Sequence, residues 1–220
     1  MFSTRIATQI YAKICFETTL GQKKIIEKLS EYLAGDDFSR IFVLNGYAGT
    51  GKTTLIAALV GALKDLNIKP ILLAPTGRAA KVLAQYAQEK AFTIHKRIYR
   101  QRTNADYESK YSLNFNAEKG AVFIVDEASM LSDSPGDGAL FGSGSLLEDL
   151  VQYVRSGRDC RLVLVGDSAQ LPRRSPVSAM SSTPRWMTWC ARRPSRGFFS
   201  MPRSCGACSR TASMKSPISK

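Results

Sequence analysis

Four short, almost uninterrupted apolar runs punctuate the first 172 residues: 41–44, 71–74, 121–125 and 161–165. Runs of this length without polar alternation predict strands buried on both faces. Helix-spaced apolar positions separate them. Ile25, Ile26, Leu29 and Leu33 form one face of a helix over 23–33, which Gly35-Asp36-Asp37 ends. A second helix runs from residue 55 to about Leu66, a third carries Ala79, Val82, Leu83 and Tyr86, and a fourth spans 146–154. Strands joined by crossovers predict a mostly parallel sheet covered by helices, an α/β fold. Three stretches are less decided. Residues 1–20 suit a short helix or a strand. The polar 100–120 stretch, with Tyr107, Tyr111 and Phe115, suits a small hairpin, an ordered excursion or a solvated loop. The Gly-, Ser- and Asp-rich 132–145 stretch reads as a loop with Phe141 as its lone anchor.

The first apolar run ends in Asn45-Gly46, and the pattern G-x-x-x-x-G-K-T follows over 46–53 before the helix begins. Strand, glycine-rich loop and helix in that order make a phosphate-binding loop. Its glycines let the backbone approach a triphosphate, and loop and helix-start N–H groups point at phosphate oxygens. The loop residues Gly46, Ala48, Gly49, Thr50, Gly51, Lys52, Thr53 and Thr54 are the candidate nucleotide contacts. Lys52 would reach the β- and γ-phosphates, and Thr53 would bind Mg²⁺ through its hydroxyl. The third apolar run ends in Asp126-Glu127, which therefore emerge at a strand's carboxyl end, where open α/β sheets bind ligands. Asp126 is the second candidate Mg²⁺ residue, acting through water. Glu127 is placed to polarise an attacking water. Lys52, Asp126, Glu127 and Gln170, which follows the fourth run and is placed to sense a γ-phosphate, form the candidate catalytic set.

Further candidates are weaker singly. Gln22, at a helix start, carries an amide that both donates and accepts and so can read an adenine edge. Pro75, Thr76 and Arg78 lie in a strand-to-helix turn suited to a nucleic-acid backbone phosphate. The single histidine, His95, follows Thr93 and has no neighbouring metal-ligating cluster; helix capping or packing suits it better than base catalysis.

Charge alters the picture mainly at one end. The chain has 220 residues and a formal net charge of +13, but residues 173–220 carry 10 Lys and Arg and no acid. Both tryptophans, Trp186 and Trp189, and three of five cysteines lie there. The Cys205-Gly206-Ala207-Cys208 pair has no partner pair and makes no zinc site. Residues 173–220 are expected to be a disordered basic tail or the product of a shifted reading frame, and 1–172 one ATP-binding domain. The start has no signal-peptide pattern and no run reaches membrane-span length, so a cytoplasmic, monomeric protein is expected, with Cys15 and Cys160 as ordinary thiols.

Taken together, the motifs resemble the first motor domain of RecD/Dda-like superfamily 1 DNA helicases, across roughly residues 18–172. Gln22 matches the adenine glutamine, and 46–53 resembles motif I. Residues 74–80 resemble motif Ia, Thr93-Ile94-His95 the short threonine–histidine motif, 126–130 motif II and 166–172 motif III. The resemblance implies a RecA-like P-loop NTPase fold, with ATP and Mg²⁺ as cofactors. It also implies single-stranded DNA or a single-strand/duplex junction as partner, bound by Pro75, Thr76, Arg78, Thr93 and His95. A small pin is implied near 100–120, as is 5′-to-3′ unwinding in DNA repair or recombination. After Pro172 the chain departs from the family pattern with Arg173-Arg174-Ser175, and a second RecA-like domain does not follow. The expectation is an ATPase domain that does not unwind by itself. A non-helicase P-loop ATPase stimulated by nucleic acid, and a gene remnant whose tail binds DNA nonspecifically, are the alternatives.

Overall fold

The computed structural model describes residues 1–47, 49–102, 110–131, 145–167 and 186–191. Their organising element is a six-stranded sheet in the order β3-β2-β6-β7-β1-β8, every pairing parallel. The strands are β1 (Ile41–Gly46), β2 (Pro70–Ala74), β3 (Ala91–Thr93), β6 (Val122–Val125), β7 (Arg161–Gly166) and β8 (Trp186–Ala191). β4 (Tyr99–Arg102) and β5 (Lys110–Leu113) pair separately as an antiparallel ribbon. All four apolar runs are strands, and they occupy the sheet's centre.

Successive side chains along these strands enter opposite cores, as the period of two requires. Phe42 and Leu44 of β1 join Leu72, Val122, Ile124, Val163 and Val165 under one helical layer, while Ile41 and Val43 join Leu73, Phe123, Val125 and Leu164 under the other. The first layer contains α1 (Phe2–Ala12), α2 (Leu20–Ala34), α3 (Lys52–Asp65) and α4 (Gly77–Ala87). The second contains α5 (Ile94–Ile98) and α6 (Leu146–Ser156).

The undecided amino-terminal stretch is a helix because Ile6 and Ile10, one helical turn apart, are both fully buried. A Lys13–Asp65 ion pair at 2.7 Å ties its end to the end of α3. α2 begins with a capping box: Thr19 Oγ1 accepts from the Gln22 N–H at 3.3 Å, and Gln22 Oε1 accepts from the Thr19 N–H at 3.0 Å. On the opposite side, Tyr32 locks α2 to β7. Its hydroxyl donates to the Leu162 carbonyl at 2.9 Å and accepts from the Leu162 N–H at 3.1 Å.

Three features extend the sequence reading. β3 is an edge strand of three residues, too short to show a period. Of the alternatives for 100–120, the hairpin is present, rooted by a 2.6 Å hydrogen bond from the Tyr99 hydroxyl to Asp149 on α6. Within the tail expected to lack a fold, residues 186–191 pair as a strand against β1. The expected 132–145 loop lies, apart from Ser145, outside the described residues.

Candidate functional site

The carboxyl ends of β1, β6 and β7 meet in one cleft because these strands are neighbours and all parallel. β1 feeds the glycine-rich loop, which needs left-handed backbone at Gly49 (φ 77°) and at Gly51 (φ 85°), the cap of α3. A side chain at either position is disfavoured by backbone sterics. The Lys52 ammonium donates to the Gly46 carbonyl and, at 2.9 Å, to the Tyr47 carbonyl, so it lies folded across the loop. Partial burial pulls the Lys52 pKa down from its ordinary value, while Asp167 and Asp126 pull it up.

Across the cleft, the Asp126 N–H donates to the Leu73 carbonyl at 3.0 Å, extending the β6–β2 ladder to the acid itself. Burial raises the Asp126 pKa above the usual carboxylate value, against the Glu127 N–H and Lys52, which lower it. Glu127 is held at φ 54°, a left-handed conformation costly for a residue with a Cβ, which turns the chain off the strand into a 3-10 turn over Ala128–Met130. Asp126 Oδ1 accepts from the Glu127 N–H at 2.9 Å within that turn.

These groups line a single cavity of about 420 Å³. Gly49, Gly51, Lys52, Thr53 and Thr54 supply its loop side, and Asp126, Glu127 and Asp167 its acidic side. Tyr86, Ser129 and Gly166 complete it. The cavity therefore brings together most of the expected phosphate and metal residues. Ala48 and Gln170 lie outside the described residues. Four lining residues, Tyr86, Ser129, Gly166 and Asp167, were not among the candidate site residues. Asp167 directly follows β7, so its place at a strand's carboxyl end was a readable signal. Tyr86 had no such signal and arrives from α4, whereas Ser129 lay within the 126–130 motif but is brought to the cavity by the turn after Glu127.

Gln22 sits against the loop from the other side. Its Nε2 donates to the Thr50 carbonyl at 3.3 Å while its Oε1 serves the capping box. Both ends of the amide are thus engaged, and contact with a base edge would exchange one of these bonds.

The expected nucleic-acid residues gather on the sheet's flank. Ala74 and Thr93 are register partners, so the turns after β2 and β3 lie side by side. Thr76 caps α4, its Oγ1 accepting from the Ala79 N–H at 3.2 Å, and Thr93 caps α5, accepting from the Lys96 N–H at 3.3 Å. Arg78 is exposed in the first turn of α4. His95 lies with its ring 5.8 Å from Tyr99, and desolvation lowers its pKa.

Comparison with known proteins matches residues 20–182 to the family described as AAA domain. The ATP-dependent RecD2 DNA helicase of Deinococcus radiodurans is 33% identical over 142 residues, covering 64% of this chain and 17% of that protein. The RecBCD enzyme subunit RecD of Mycobacterium tuberculosis is 32% identical over 157 residues, covering 60% of this chain and 24% of its own length. The chain thus spans a small part of the length of the curated relatives it matches. The solved Pif1 helicase from Candida albicans aligns at a TM-score of 0.46 and 17% identity, over 80% of this chain and 40% of that one. The resemblance to RecD-like superfamily 1 helicase motor domains, read from the motifs, stands on the family match and the RecD-type relatives.

Proposed function

From the premise that the chain belongs to the AAA-domain family, we propose that residues 1–172 bind and hydrolyse ATP with Mg²⁺ as the first motor domain of a 5′-to-3′ DNA helicase. The observation that carries this is the convergence of Lys52, Thr53, Asp126 and Glu127 on one cavity beneath a helix N-terminus. The donor set suits the ligand. Loop N–H groups and Lys52 offer positive charge to phosphates. The Thr53 hydroxyl and Asp126 carboxylate are hard oxygen donors of the kind Mg²⁺ takes, and the metal would offset charge on the phosphates. On binding, Lys52 exchanges the Gly46 and Tyr47 carbonyls for phosphate oxygens. Glu127, exposed at the mouth of the acidic turn, orients water for attack. Gln22 reads the adenine edge from its place against Thr50.

Single-stranded DNA lies along the β2–β3 flank, with Thr76, Arg78 and Thr93 toward its phosphates and the β4–β5 ribbon as the small pin. Motor function in DNA repair or recombination, in the cytoplasm, completes the proposal. Among the described residues no helix is long and apolar enough to cross a membrane. Transition-state charge in related phosphoryl transfer is met by an arginine worth about 10³–10⁵ in rate. With that group expected from a second domain, this chain binds ATP, turns it over slowly and does not unwind. Calorimetric titration with Mg·ATP, together with strand displacement on a tailed duplex, tests the proposal. Binding without displacement is expected; displacement by this chain alone, or no nucleotide binding, contradicts it.

A further inference from the structure

Ser129 lines the phosphate cavity yet is only 9% exposed, and its Oγ meets no hydrogen-bond partner among the described residues. Asn45 Oδ1, near the end of β1, is likewise a buried atom without a hydrogen-bond partner among the described residues. Both residues lie beside Gly166. A Cβ placed on that glycine would lie 3.4 Å from the Ser129 N, 3.5 Å from Asn45 Oδ1 and 3.7 Å from Ser129 Cβ. The bare face of Gly166 is therefore the space they share. Asn45 and Gly166 are register partners at the ends of β1 and β7, and Ser129 belongs to the turn that follows Asp126 and Glu127. Three segments of the phosphate site meet there: the strand entering the loop, the acidic turn, and the strand leading to Asp167.

Buried polar atoms without partners cost stability, and native proteins retain them rarely. Two of them beside one glycine, which with Ser129 belongs to the wall of the ligand cavity, indicate a guest that satisfies both. The guest's chemistry follows from the atoms. Asn45 Oδ1 only accepts, so a phosphate oxygen, also an acceptor, cannot satisfy it. A water molecule can. It accepts from the Ser129 hydroxyl, donates one hydrogen to Asn45 Oδ1 and turns the other toward a phosphate oxygen.

Resting on the nucleotide reading above, we propose that Asn45 Oδ1 and Ser129 Oγ form a water site serving the terminal phosphate of a bound nucleoside triphosphate. The site makes these two side chains selective for triphosphate over diphosphate, because only the longer ligand supplies an acceptor for the water's second hydrogen. It also links occupancy of the cavity to the position of the Glu127 turn.

The test is thermal melting and calorimetry of the full chain with Mg·ATP and Mg·ADP, comparing wild type with Ser129→Ala. The ligand-free melting temperature is expected to stay the same or rise, because an unsatisfied hydroxyl is removed. Mg·ATP affinity should fall roughly tenfold while Mg·ADP affinity holds, the scale of one hydrogen bond in a charged site. Asn45→Ala should show the same selective loss, and the double variant should lose no more than either single one. A lowered ligand-free melting temperature with intact Mg·ATP affinity would mean that Ser129 is already satisfied, and overturns the inference. Equal losses for both nucleotides, or additive losses, overturn it as well. Lys52→Ala separates the two levels of argument. Mg·ATP binding that is absent from wild type, or that is undiminished in Lys52→Ala, refutes the nucleotide site itself, and the inference falls with it.

Discussion

The centre and the flank of the sheet present the same element, a strand ending at a helix start, yet they handle polar groups differently. At the centre, where β1, β6 and β7 end, charges are drawn partly out of water. Lys52 is displaced downward and Asp126 upward in pKa, and both face one cavity. At the flank, after β2 and β3, the hydroxyls of Thr76 and Thr93 are spent on helix caps, and Arg78 stands in solvent. A site in which burial displaces charged groups is primed for a compact, highly charged ligand. A site of capped helix starts and solvated arginine suits a long, repeating polyanion held by many small contacts.

The sharpest way to break this contrast is at Lys52. Lys52→Ala should weaken Mg·ATP binding by roughly two orders of magnitude, the scale of losing charge-assisted hydrogen bonds to phosphate, as measured by calorimetry. Single-stranded DNA binding to the flank should be unchanged. Next in size is the root of the hairpin. Tyr99→Phe removes the donor from a carboxylate on a residue only 2% exposed and should cost about 2–3 kcal/mol in urea unfolding. Smaller effects belong to the flank. Thr76→Ala should cost about 1 kcal/mol of stability through its lost cap. Arg78→Ala should lower the salt dependence of single-strand binding by about one unit in the log–log slope, equally for all sequences.

The smallest effect concerns pH. Glu118 bridges Lys69 at 2.7 Å and Arg97 at 2.6 Å. Burial raises its pKa, but the two cations and their hydrogen bonds outweigh this and leave it below the usual value. A carboxyl lowered in the folded state stabilises above its unfolded pKa and loses that contribution as pH falls through the folded value. Melting temperature should therefore decline below about pH 4.5, near the ordinary glutamate pKa. Glu118→Gln should flatten that decline.

The centre was also far more legible in the sequence than the flank. Runs such as 41–44 and 161–165 have one physical explanation, burial on both faces, and a glycine-rich loop between strand and helix has few others. The cavity's chemistry followed, because residues just past a central strand must face it. β3 could not be seen, since three residues carry no period and Ala91–Thr93 owes its strand to pairing with β2. The role of Gln22 was visible only in part: its amide was legible as a reader of base edges, but its capping bond depends on Thr19 and its second bond on Thr50, 28 residues away. Ser129 illustrates the limit most plainly. Its place in the motif was readable, but its burial against Gly166 follows from the left-handed turn at Glu127, which no local preference announces.

The measurement that tests the central claim most directly is titration of the chain with ATP, with and without Mg²⁺, in wild type and Lys52→Ala. One saturable site is predicted in wild type, strengthened by Mg²⁺ and weakened about a hundredfold in the variant. Binding that ignores Mg²⁺ or is undiminished by the loss of Lys52 would contradict the assignment of the central cleft as a nucleotide site.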